Sequence, residues 1–92
     1  MLPTHRRPTP PGEILLTEFL EPKAMTQGDL AAKMKVPIQR VNAIVNERRA
    51  VTAETALLLA AVLGTSPEFW MNLQMSIDLW DAKNRARRSR AS

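Results

Sequence analysis

TQGDLAAKMKVPIQRVNAIVN, residues 26–46, decides how this chain is read. Thr26 is a good helix N-cap, because its hydroxyl can accept a hydrogen bond from one of the backbone amides that a helix start leaves unpaired. Met25 before it and Leu30 after it have the spacing of a hydrophobic staple. Asp29 stands where a capping box would carry glutamate, so the box looks imperfect. Leu30, Ala31 and Met34 are spaced to face inward, whereas Gly28 inside the helix costs up to about 1 kcal/mol relative to alanine. Pro37 ends any continuation and is well placed to open a second helix, running to about Asn46. Two short helices joined by a tight turn make a helix-turn-helix unit, whose second helix is held out so that it can enter a DNA major groove.

At about 100° per residue, Val41, Ile44 and Val45 share one face of that second helix and anchor it to the core. Gln39, Asn42, Ala43 and Asn46 fall opposite, with Arg40 on the flank. A merely solvated helix would carry a glutamate and lysine mixture there, and this one carries amides and alanine. Amides can pair bidentately with adenine, and an alanine methyl can meet a thymine methyl. Arg40 is placed to reach guanine or a phosphate. Arg48 and Arg49, just past the helix, are expected to grip the backbone, which positions a protein without reading sequence. Gln27, at the start of the first helix, is placed to offer its side chain and nearby amides to a phosphate. The plainer alternative is a polar surface helix in a generic bundle.

Around this unit the chain reads as all-α, a five-helix domain with its fifth helix extended. The opening MLPTHRRPTPP has four prolines and no periodicity, so residues 1–10 are expected to be a flexible arm. The domain proper is expected over 11–82. Its first helix starts near Pro11-Gly12-Glu13, buries Ile14, Leu15, Phe19 and Leu20, and stops at Pro22. A fourth helix runs from an N-cap at Thr52 to a glycine cap at Gly64. A fifth starts at Ser66-Pro67-Glu68 and continues to about Ala82. Residues 83–92 lack an apolar face and are expected to form a disordered or frayed basic tail, either solubilising, adding phosphate contacts, or protease-sensitive.

The net charge of +4 belongs to the ends. Residues 83–92 hold five cations and no acid, whereas 11–82 hold six cations and nine acids, a net of −3. Basic balance alone is therefore weak support for a nucleic-acid partner, and the local cluster Arg40, Arg48, Arg49 says more. Cysteine is absent, which removes disulfides and thiolate zinc sites and is compatible with a cytoplasmic location. No apolar run approaches the roughly 20 residues of a membrane span. The single histidine, His5, lies in the arm, and no glycine-rich phosphate loop or catalytic constellation is visible. An enzyme is not expected, nor any cofactor or metal.

The block from the second to the fourth helix resembles the Cro/phage-repressor type of helix-turn-helix. Residues 11–80 as a whole resemble its HigA-type antitoxin branch, also called virulence-associated protein I. The resemblance rests on Pro11-Gly12-Glu13-Ile14-Leu15, Phe19-Leu20-Glu21-Pro22, Val45-Asn46, Arg48-Arg49, Thr52-Ala53-Glu54-Thr55-Ala56-Leu57 and Leu63-Gly64-Thr65-Ser66-Pro67-Glu68-Phe69-Trp70-Met71-Asn72-Leu73-Gln74. It implies a homodimeric repressor that binds a palindromic operator and restrains its own operon. It also implies a small toxin partner that degrades mRNA at the ribosome. Two positions depart from the pattern, since glycine usually follows both helices of the unit and here Lys35 and Glu47 stand there. A positive φ at either costs about 1–2 kcal/mol, and an altered turn would instead move Arg48 and Arg49.

The fifth helix carries two apolar lines. Phe69, Trp70, Leu73, Ile77 and Trp80 read as core. Met71, Met75 and Leu79 lie apart from them and are expected at the dimer interface, with burial in a single core or docking of a small basic toxin as alternatives. The acids at 54, 68, 78 and 81 would suit such a toxin and would equally suit solvent. A stand-alone transcriptional regulator without a toxin, and an interaction bundle that has lost operator binding, are the rival functions.

Overall fold

The computed structural model describes residues 6–91 and is all-helical there. Helix α1 (Pro11–Ile14) passes directly into a π-helical stretch (Leu15–Leu20), followed by α2 (Gln27–Met34), α3 (Ile38–Val45), α4 (Ala53–Leu63) and α5 (Pro67–Ala91). The wide turns show in the backbone bonding, since Glu21 N–H reaches back five residues to the Leu16 carbonyl at 3.0 Å. This wide segment was not anticipated.

The starts and stops follow the expected chemistry. Thr26 caps α2 by accepting from Asp29 N–H at 2.9 Å, and the Asp29 carboxylate returns the bond to Thr26 N–H at 3.0 Å. The capping box is thus complete, with aspartate doing what was reserved for glutamate. Thr52 accepts from Thr55 N–H, Ser66 accepts from Phe69 N–H at 3.1 Å, and Gly64 ends α4 in the left-handed region at φ 76°.

The helices enclose one core of Leu15, Leu20, Leu30, Ala31, Met34, Val41, Ile44, Val51, Ala56, Leu59, Leu63 and Trp70. Trp70 is fully buried and donates its indole N–H to Thr65 Oγ1 at 2.7 Å. Its ring meets Phe19 from the π-helical stretch and Phe69, at centroid separations of 5.3 and 5.0 Å. Gln74 accepts a hydrogen bond from Val51 N–H at 2.8 Å, fixing the approach to α4 from α5. Within the Leu63–Gln74 motif, Leu63, Thr65, Trp70 and Gln74 are therefore structural.

Two boundaries differ from expectation. Helix α5 does not end near Ala82: its backbone stays helical to Ala91, through most of the tail expected over 83–92, and Ser92 lies outside the described residues. Extending an existing helix avoids the nucleation cost, alanine and arginine are strong helix formers, and cations suit a helix C-terminal end. In the second half of the expected arm Arg7 bonds to Glu47 and Asp81; residues 1–5, with His5, lie outside the described residues. Among the described residues no helix is long and apolar enough to cross a membrane.

Candidate nucleic-acid interface

Helix α1 sets the position of α3. Gly12 is buried against the end of α3, and a Cβ there would lie 2.1 Å from the Ile44 carbonyl oxygen. Only glycine permits so close an approach of two backbones. The inner face of α3 is anchored as expected, with Val41 and Ile44 buried and Val45 half-buried.

Both turns of the unit keep their left-handed residue despite lacking glycine. Lys35 sits at φ 60° and ψ 43°, and Glu47 at φ 60°. Val36 N–H bonds to the Ala31 carbonyl at 3.0 Å, closing the end of α2. After α3, Arg48 and Arg49 N–H both reach the Ala43 carbonyl, at 2.7 and 3.2 Å. The turn therefore accepts the strain of a non-glycine residue instead of changing shape, and the two arginines stay at the helix exit.

The predicted surface residues are brought together unequally. Gln39 and Asn46 are exposed, while Asn42 and Ala43 are half-buried. Asn42 sits in a polar relay, its Nδ2 donating to Gln27 Oε1 at 3.3 Å and its Oδ1 accepting from Arg48 Nη2 at 2.7 Å. That chain ties the start of α2, the middle of α3 and the exit arginine, and networks of this kind hold side chains in one geometry. Asn46 turns back to donate to the Asn42 carbonyl at 2.9 Å.

Arg40 is placed differently from its expected reach toward DNA. It packs against the start of α4, its Nη2 2.7 Å from Glu54 Oε1 and 3.5 Å from Thr55 Oγ1, with the side chain 19% exposed. Its Nε is buried and has no hydrogen-bond partner among the described residues. Even so, Arg40 still helps line an open concavity of about 400 Å³ with Pro37, Gln39 and Arg49.

Sequence reasoning missed Ile38, which is 49% exposed at the first turn of α3 with its methyl near Gly28. The helical wheel offered no signal, since Ile38 falls within about 20° of Val45 and so beside the apolar face of α3. It also missed Arg7 as a partner of Glu47. No local signal exists for that pair, because 40 residues separate its members.

On α5, Trp70 and Ile77 are buried, whereas Phe69 is exposed and Trp80 only half-buried. Met71, Met75 and Leu79 are exposed at 36%, 53% and 52%, so the alternative of one core burying both lines is corrected. Leu57 of α4, at 60%, is a further exposed apolar residue that was not singled out. Two of the acids expected to suit a toxin have partners within the chain, Glu54 with Arg40 and Asp81 with Arg7.

This arrangement defines a helix-turn-helix protein of the nucleic-acid-binding kind, and comparison with known proteins agrees. The "Helix-turn-helix" family description matches residues 16–70. Antitoxin HigA-1 of Vibrio cholerae serotype O1 is 47% identical over 85 residues, covering 92% of this chain and 80% of that protein. An uncharacterized HTH-type transcriptional regulator of Escherichia coli K12, YbaQ, is 44% identical over 82 residues, covering 89% of this chain and 73% of the relative. The solved Pseudomonas aeruginosa antitoxin HigA with the higBA promoter superposes with a TM-score of 0.85 at 40% identity, covering 90% of each chain. The chain belongs to the helix-turn-helix family, in its HigA-type antitoxin branch. That family is a DNA-binding class and not an enzyme class.

Proposed function

We propose that this chain is a sequence-specific DNA-binding antitoxin that represses its own operon as a homodimer and neutralises an mRNA-cleaving toxin. The relay Gln27–Asn42–Arg48 carries the DNA half of this reading, since it fixes a half-buried amide beside an exposed guanidinium at the exit of α3. Gln39, Asn42, Ala43 and Asn46 are assigned to base edges, with the alanine methyl suited to thymine. Gln27, Arg48 and Arg49 are assigned to phosphates, and Arg40 joins them on release from Glu54. The Pseudomonas relative was solved with the higBA promoter, which supports DNA as the partner.

The dimer surface is assigned to Met71, Met75 and Leu79. Exposed large apolar side chains at this spacing form a patch that a second copy would cover. Two-fold symmetry then places the two α3 helices about 34 Å apart, one turn of a palindromic operator. The toxin, a small basic protein, rests on likeness to HigA antitoxins.

The test is a fluorescence-anisotropy titration of duplex DNA taken from immediately upstream of this chain's own coding sequence. Saturable binding that exceeds binding to a scrambled duplex by about 1,000-fold or more is expected. Equal affinity for both duplexes would remove the repressor. Co-expression with any small basic reading frame next to the gene decides the toxin. Co-purification is expected for an antitoxin, and its absence favours a stand-alone transcriptional regulator.

A further inference from the structure

Glu47 is an awkward residue for a DNA-binding surface. It occupies the exit turn of α3, next to Arg48 and Arg49, in a backbone conformation that glycine would enter more cheaply. A free carboxylate there would oppose phosphate approach and compete for both arginines.

Arg7 meets that carboxylate from the N-terminal segment. Its Nε and Nη2 hold both oxygens of Asp81 on α5, each at 3.0 Å, and its Nη1 reaches Glu47 Oε2 at 2.9 Å. Two nitrogens fix the guanidinium plane on Asp81, and the third nitrogen is thereby aimed at Glu47. The guanidinium holds the Asp81 carboxyl below the usual carboxylate range, chiefly through that bidentate bond. All three side chains are between one third and one half exposed, so the pairing contributes little to stability. Its consequence is electrostatic, since one cation offsets a carboxylate beside the phosphate-facing arginines.

We propose that Arg7 is a positioning residue for DNA binding, which partly offsets the Glu47 carboxylate and holds it turned toward Asp81, so that Arg48 and Arg49 are left for the phosphate backbone. This rests on the reading of α3 and its exit turn as the DNA face. Arg7 itself makes no contact with DNA in this scheme. The Glu47 carboxylate is tolerated beside Arg48 and Arg49 because the arm supplies a counter-charge, while the backbone strain at this position remains.

The proposal is tested on the full chain with Arg7→Ala, Glu47→Gln and the double variant, titrated against the same upstream duplex over a range of salt. Arg7→Ala is expected to weaken binding about tenfold, because an unpaired like charge now faces phosphate. Glu47→Gln alone is expected to bind at least as well as the parent, and the double variant to return to within about twofold of it. If the double variant stays as weak as Arg7→Ala and the salt slope falls by about 0.9, Arg7 is a phosphate ligand and the proposal is overturned. A second readout separates this from failure of the DNA reading. In a double-mutant cycle on urea unfolding, Arg7 and Glu47 are expected to couple by roughly twofold to fivefold in the unfolding constant. A parent that ignores the duplex would sink the DNA face, whereas zero coupling would sink the clamp.

Discussion

Gly12 and Gly28 lie on opposite sides of α3 and answer oppositely to an added methyl. At Gly12 the new Cβ would overlap the Ile44 carbonyl, a backbone atom that cannot turn aside. Gly12→Ala is expected to destabilise by about 1–3 kcal/mol in urea unfolding, as overpacking does. At Gly28 the nearest side chain, Ile38 Cδ1, is 3.5 Å away, an ordinary contact. Gly28→Ala is expected to stabilise by roughly 0.5–1 kcal/mol, chiefly by restricting the unfolded chain. A stabilised Gly12→Ala would show that α1 does not fix the exit of α3. The structure leaves room for alanine at Gly28, where sequence assigned a penalty to glycine, while the need for Gly12 was invisible because it depends on a neighbour 32 residues away.

Within α2 the Thr26–Asp29 box gives a pH dependence with a defined sign. Bonding from the Thr26 backbone and hydroxyl holds the Asp29 carboxyl below its ordinary value. A depressed folded value adds stability that is fully present above the unfolded value, about 3.9, and lost as pH falls through the folded one. Asp81 behaves likewise through Arg7. Stability followed by circular dichroism is expected to drop below about pH 4, with a shallower drop in Asp29→Asn. Equal slopes in parent and variant would remove the box as a contributor. Thr26→Ala is expected to cost about 1 kcal/mol at neutral pH. Caps at Thr26, Thr52, Ser66 and Gly64 were legible because each depends on a few adjacent residues. The length of α5 and the π-helical stretch were not. An arginine-rich run reads as tail until its attachment to a stable helix is considered, and Leu15–Leu20 carries no local mark of its wider turns.

Across the whole molecule the two apolar lines of α5 separate only in part, with Trp70 and Ile77 buried and Met71, Met75 and Leu79 exposed, but with Phe69 of the expected core line exposed as well. Spacing made the buried pair legible and misplaced Phe69. The exposure of Leu57 was not legible, since α4 is apolar nearly all round and periodicity distinguishes no face there. Met71→Glu with Met75→Glu is expected to convert a dimer to monomer by sedimentation while leaving the helical spectrum intact. An unchanged dimer mass would move the interface elsewhere. The candidate DNA face was legible as a set of amides, but the inward turn of Arg40 depends on Glu54 arriving from α4. The central claim is that this face reads base edges, and Asn42 is the residue the relay holds in place. The most direct measurement compares Asn42→Ala with the parent on the upstream duplex and on its scrambled counterpart. Affinity for the upstream duplex is expected to fall about 10-fold to 100-fold, with little change on the scrambled one. An equal loss on both, or none on either, would contradict the assignment of α3 as the reading helix.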